Sequence, residues 1–291
     1  MKSKWAALDC IAGGQTVTAA PARVTGRRPR VWGLLAVWVV SVFSEVRGQV
    51  VFMSDFTGGA GPFTPAGSLA GTSLSTAVLP LDSGGPTSTN TGLWLGKIGY
   101  NVAKSGSADE IVQLSLSGLT VGTTYTVSFD LLVGGSWDGA ASFYGPDSWR
   151  FSVDGSRLVD TIFSNGQQGV NLGAYSPQRY SDTSFTSPNG PDVPRFTGAD
   201  ASWSANQSGN YAGDYAIYYF SHGAGNPLLS FTATGSTALL EFARYGNTTD
   251  SSDEYWALRN VSVTAVPEPS SGALALFGVG AMWVLRRRRT G

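Results

Sequence analysis

Residues Thr123–Val133 read TTYTVSFDLLV, with Tyr125, Val127, Phe129 and Leu131 alternating with Thr and Ser. A period of two is what a half-buried β-strand requires, because successive side chains point to opposite faces of a sheet. The same grammar recurs outward from this stretch. Val50–Phe56, Trp94–Ile98, Ile111–Leu116, Trp149–Gly155 and Arg157–Asn165 are short β-branched or aromatic runs, as are Asp214–His222, Pro227–Gly235, Thr237–Gly246 and Tyr255–Val266. Gly, Asn, Asp and Ser clusters separate them, and nothing between Gln49 and Ala265 has the pattern of a good helix. About ten short strands with regular turn signals predict an all-β antiparallel β-sandwich.

Local turn chemistry adds detail. LSGLTVGTTY before Thr124 reads as a hairpin, and Asp154-Gly155 between WRFSV and RLVDTIF as another. Gly58–Ser75 is glycine-rich and assigns no element. Residues 166–213 carry no sustained period and are expected as a loop-rich insertion, since a long structureless stretch is a functional loop, a disordered one or misread short strands.

The two ends are different in kind. At the C-terminus, Pro267, Glu268 and Pro269 precede an apolar run from Gly272 to Leu285, closed by Arg286, Arg287, Arg288 and Arg289. Fourteen apolar residues fall short of the about 20 that span a bilayer, a deficit that snorkelling arginines and local thinning can meet. The arginines predict that everything before Pro267 faces outward. At the N-terminus, Arg27, Arg28 and Arg30 precede the apolar segment 31–43, a basic region followed by a signal-peptide core. Val46 and Gly48 fit a cleavage before Gln49, which sets the expected divisions at 1–48 (leader), 49–265 (ectodomain) and 266–291 (tail). Residues 1–26 read as an extended leader or as the product of too early a start codon.

The tail resembles the PEP-CTERM sorting signal of Gram-negative bacteria. That resemblance implies export, a C-terminal transmembrane helix in the inner membrane, and processing by an exosortase near Pro-Glu-Pro. It also implies a final destination at the cell surface or in the extracellular matrix. The strand series LSGLTVGTTYTVSFDL, WRFSVDG, LLSFTATGSTALLEFA and WALRNVSVTAV resembles the galactose-binding-like jelly roll, with Asn260–Val263 in the place of its last strand. This implies a sandwich flanked by an N-terminal signal helix and the C-terminal membrane helix, with glycan binding or a structural role.

Composition narrows the function further. The chain's one cysteine, Cys10, lies in the leader, so the ectodomain has no disulfide, no thiolate metal site and no cysteine nucleophile. From Gln49 to Ala265 there are 17 Asp/Glu against 8 Lys/Arg, a net charge of −9, which argues against nucleic acid as a partner. His222, the only histidine, has no nucleophile elbow beside it. Glu241 is the carboxylate best placed for a glycosidase, but no paired carboxylates on one strand accompany it, so the balance is against catalysis. A secreted glycoside hydrolase or lyase on a sandwich is the alternative.

Two binding constellations stand out. Trp137, with Asp138 beside it, and Trp203 lie in Gly/Ser-rich loops, where an exposed ring can stack on a sugar. Trp149 and Trp256 lie in strands and are expected in the core. Asp250, Asp253 and Glu254 form an acidic loop before the last strand, and Asp55 follows the first. Hard oxygen ligands on loops suit a structural Ca²⁺, which jelly-roll sugar-binding modules often hold between their first and last strands.

Overall fold

Alternation along the chain becomes thirteen strands in a computed structural model, which describes residues 48–79, 92–99, 109–140, 145–165, 177–203, 214–222, 227–245 and 254–267. All of these belong to the unit that runs from residue 45 to the C-terminus. No helix occurs among the described residues; the segments expected as signal and membrane helices lie outside them.

Every strand pair is antiparallel. The larger sheet runs β3 (Thr76–Leu79), β4 (Gly92–Ile98), β13 (Tyr255–Ala265), β6 (Thr124–Gly134), β10 (Tyr215–Phe220), β9 (Ala201–Trp203). In it, β1 (Val50–Ser54) adds to β13 and β11 (Leu229–Thr232) to β6. The smaller sheet runs β2 (Phe63–Gly67), β5 (Glu110–Ser117), β12 (Thr237–Tyr245), β7 (Ser148–Val153), β8 (Ser156–Ile162).

The two sheets meet through one apolar core. Tyr125, Val127, Phe129, Leu131 and Val133 of β6 all face it, as their spacing predicts. Phe129 lies 4.7 Å from Phe220 within its own sheet and 5.3 Å from Phe151 and 5.2 Å from Phe242 across the core. Trp149 and Trp256, fully buried, meet edge to face at 6.1 Å. Each such ring contributes roughly 1.5–3 kcal/mol by leaving water.

The expected turn at Asp154-Gly155 is present: β7 and β8 form a hairpin, with φ at 49° and 79° on the two turn residues. Two positive φ values are what a primed turn demands, and Gly and Asp meet that demand at least cost. The other expected hairpin is not one. LSGLTVGTTY leaves β5 in the smaller sheet and enters β6 in the larger, with Leu119 buried and the Thr120 amide donating to Tyr125 Oη at 2.9 Å. Leu119 fills an arch between the sheets while Val121 is exposed, so the chain crosses the core edge instead of folding back beside itself.

Residues 177–203 hold more order than their composition suggests. Gln178 is fully buried and uses its whole amide: Nε2 donates to the Tyr180 and Thr197 carbonyls, both at 2.8 Å, while Oε1 accepts from the Phe196 amide and Tyr218 Oη. Tyr180 joins the core against Phe163, Tyr218 and Phe220.

Candidate functional site

Three charged residues occupy core-facing positions at one end of the sandwich. Glu110 follows the parity of Val112, Leu114 and Leu116; Arg244 follows Leu240 and Phe242; Glu254 follows Trp256 and Leu258. Strand register sets Arg244 opposite Glu110. The Arg244 guanidinium donates to Glu254 Oε2 at 2.8 Å and Glu110 Oε1 at 3.0 Å, with the side chain only 1% exposed. Trp256 Nε1 donates to the other oxygen of Glu110. Gly99, at φ 84°, leaves room for that carboxylate, which a side chain there would strike. Buried charge is tolerated only when paired in this way.

Two further carboxylates come in from loops. Asp147, fully buried just before β7, accepts from the Asp138 amide through Oδ2. Oxygens of Asp138, Asp147 and Glu254 lie within 4.8 Å of one another. Ligands around one Ca²⁺ at about 2.3–2.6 Å are at most roughly 5 Å apart, so the donor set and its spacing fit that ion. Asp147 and Glu254 are buried and Asp138 half-buried, so like charge is crowded here, with the Arg244 guanidinium offsetting part of it.

Trp137 is not the exposed platform expected from its glycine-rich surroundings. It is fully buried, donates through Nε1 to the Tyr255 carbonyl at 3.1 Å, packs edge to face on Phe163, and lies 5.7 Å from the Arg244 guanidinium. Its ring belongs to the core, and Gly135 and Gly139 on either side take positive φ, 90° and 67°. Trp203 ends the edge strand β9, opposite Tyr215.

Of the four acidic residues expected to bind calcium, Glu254 is in the carboxylate cluster. Asp55 is not. Its carboxylate accepts from the Thr57 amide and hydroxyl, which holds its pKa below the usual aspartate range. It follows Ser54, whose partner Val261 is seven residues from Glu254, roughly 20 Å along a strand. Asp250 and Asp253 lie outside the described residues. Asp138, expected beside Trp137 in a sugar-binding loop, belongs to this cluster, and Asp147 carries no sequence signal.

The other candidates are placed as follows. Glu241 faces outward and accepts from Gln113 Nε2 at 2.9 Å. His222 donates through Nε2 to Asp130 Oδ1 at 2.8 Å, and this bond holds its pKa above the ordinary histidine value. Pro267 is exposed just past β13, whereas Glu268, Pro269 and Arg286–Arg289 lie outside the described residues. The Ala265 amide donates to the Gln49 carbonyl at 2.8 Å, so the two ends of the sandwich emerge side by side.

Residues 265–289 match the PEP-CTERM protein-sorting motif, so the motif starts at the last residue of β13. No curated protein matches the chain. Among solved structures, it is similar to the K1 cleaved adhesin domain of Lys-gingipain from Porphyromonas gingivalis W83, at 10% identity over 74% of this chain and 98% of that one, with a TM-score of 0.34. A lectin from Bauhinia forficata in complex with GalNAc aligns at 12% identity over 74% of this chain and 97% of that one, with a TM-score of 0.35. The enzymatically active domain of bacteriophage CBA120 tailspike protein 4 aligns at 10% identity, over 71% of this chain and 20% of that one, with a TM-score of 0.30.

Proposed function

We propose that this chain is an exported cell-surface or matrix protein, delivered by an exosortase, whose sandwich binds neutral glycan and works without catalysis. The observation that carries the export half is the sorting motif at 265–289, which follows the folded strand without a linker. The inner membrane is its transient anchor, and the apolar tail and arginines hold it there until processing. The test is to replace Pro267, Glu268 and Pro269 together by Ala and follow the protein in cell fractions. Retention at full length in the membrane supports the reading; unchanged release would defeat it.

Several observations favour binding over turnover. The three glutamates of the ectodomain are all engaged: Glu110 and Glu254 by Arg244, and Glu241 by Gln113. An acidic domain with net charge −9 favours neutral ligands over phosphates. The jelly-roll, galactose-binding-like reading of the sandwich belongs with this function, and Trp203 on the sheet edge is a candidate contact.

A structural Ca²⁺ completes the proposal, held by Asp138, Asp147 and Glu254, the last of these from the acidic loop expected from sequence. It offsets the charge of three close carboxylates and ties the Trp137 loop, the start of β7 and the start of β13 together. Calcium should raise the melting temperature, and Asp147→Asn should abolish the rise.

A further inference from the structure

The outer face of the larger sheet bears a second polar site, and two strained backbone positions converge on it. Asp130 of β6 is nearly buried, with a 3% exposed side chain, and takes three donors. Arg259 Nε and Asn260 Nδ2 both bond Oδ2 at 2.8 Å, and His222 Nε2 bonds Oδ1 at 2.8 Å. Asn260 sits at φ 51° in a bulge of β13, and Ser221, which aims His222, sits at φ 59°. Apolar spacing explains the bulge: Leu258 and Val261 both face the core, three residues apart where a regular strand allows two. It does not explain Asn260. Glycine is the cheapest residue at that φ, and the asparagine there sends its side chain to the same carboxylate as His222. Strain of this kind is held at sites that use the side chain.

From Asp130 the face continues as uncharged hydroxyls on three strands. Ser128 bonds Ser262 at 2.7 Å, Thr126 pairs in register with Thr264 and Ser230, and Thr124 bonds Thr232 at 3.3 Å. All seven of these residues are exposed or half-buried. The rows are about 4.8 Å apart across strands and the track from Thr124 to Asp130 is roughly 20 Å long. Tyr219, opposite Asp130 in register, sets its ring 5.4 Å from that of His222 at a tilt of 56° and ends the track with an aromatic side chain.

We infer that this face is the glycan site: a neutral polysaccharide strand lies along β6 and β13, its hydroxyls bonded to the Ser/Thr rows and its end held at Asn260, His222 and Tyr219. The inference rests on the glycan reading above. Charge selects the ligand class. The Ser/Thr rows carry no charge, Arg259 and His222 offset Asp130, and the acidic domain repels polyanions. Rigid, pre-placed hydroxyls bind at low ordering cost, and ring stacking adds orientation.

The test is native-gel retardation of the full-length chain in detergent, in gels containing neutral polysaccharides (dextran, laminarin, hydroxyethyl cellulose, xylan) or anionic hyaluronate. Two variants keep the backbone. Asn260→Gly suits the positive φ, and Thr126→Val/Thr264→Val keeps branched side chains while deleting two hydroxyls. Each should weaken binding to the retarding neutral polymer about fivefold or more per lost contact, with the melting temperature held. If a neutral polymer retards wild type and both variants alike, the glycan reading stands and this site is wrong. Retardation by none, or only by hyaluronate, overturns both.

Discussion

Among the described residues, two ionic networks are opposite in design. At the end of the sandwich a guanidinium, Arg244, is surrounded by carboxylates and wholly buried. On the outer face a carboxylate, Asp130, is surrounded by Arg259, Asn260 and His222, whose own side chain remains 29% exposed. Burial separates their roles. The first network cannot meet a large ligand and can serve only the fold, or a small ion that neutralises it. In the second, donors reach the protein surface, and the backbone strain around them has no packing benefit at Asn260. Charge that is sealed holds the structure, and charge at the rim of a hydroxyl face is available to a partner.

Substitutions sharpen that contrast. Arg244→Met should have the largest effect, because it leaves Glu110 and Glu254 buried without compensation; a loss of about 3–5 kcal/mol is expected from urea unfolding. Calcium comes next. At a concentration about 100 times its dissociation constant, it should stabilise wild type by about 2.7 kcal/mol, seen as a rise in melting temperature that chelator reverses and Asp147→Asn lacks. Trp137→Phe keeps an apolar ring but strands the Tyr255 carbonyl, and should cost about 1–3 kcal/mol by the same unfolding assay.

The smallest effect is His222→Gln, read as a difference in stability against pH. Asp130 raises the folded pKa of His222 above its unfolded value of about 6.5, with Asp200 adding in the same sense and burial opposing. Stability from this pair is therefore complete below about pH 6.5 and is lost as pH rises through the raised folded value. Wild type should exceed the variant at pH 5.5–6 and converge with it toward pH 9. A gap that widens with pH would show that the histidine is held by something other than its charge.

Much of the fold was legible because β6 alternates from Thr124 to Phe129 and Asp154-Gly155 is an unambiguous turn. The β5–β6 connection misled because a Gly turn between apolar runs looks the same whether the chain returns beside itself or arches to another sheet. β2, β3 and β9 are short and set in Gly-rich sequence, where cross-strand partners and not propensity make the strand. The site was half legible. Parity with the apolar residues already puts Glu110, Arg244 and Glu254 on the core side. Asp138 and Asp147 meet Glu254 only through tertiary loops that no local pattern encodes. Trp137 was misplaced because a glycine-rich neighbourhood signals a loop but not which way its one large ring turns. The bulge at Asn260 was readable in the step from two to three between Leu258 and Val261.

One paired measurement tests the central claim most directly: melting temperature and polysaccharide retardation, both on full-length Asn260→Gly and Arg244→Met, against wild type. The account predicts that Asn260→Gly keeps its melting temperature and is retarded much less, its binding weakened about fivefold or more, while Arg244→Met melts well below wild type yet is still retarded at low temperature. The reverse pattern, with retardation lost in Arg244→Met and kept in Asn260→Gly, would contradict it.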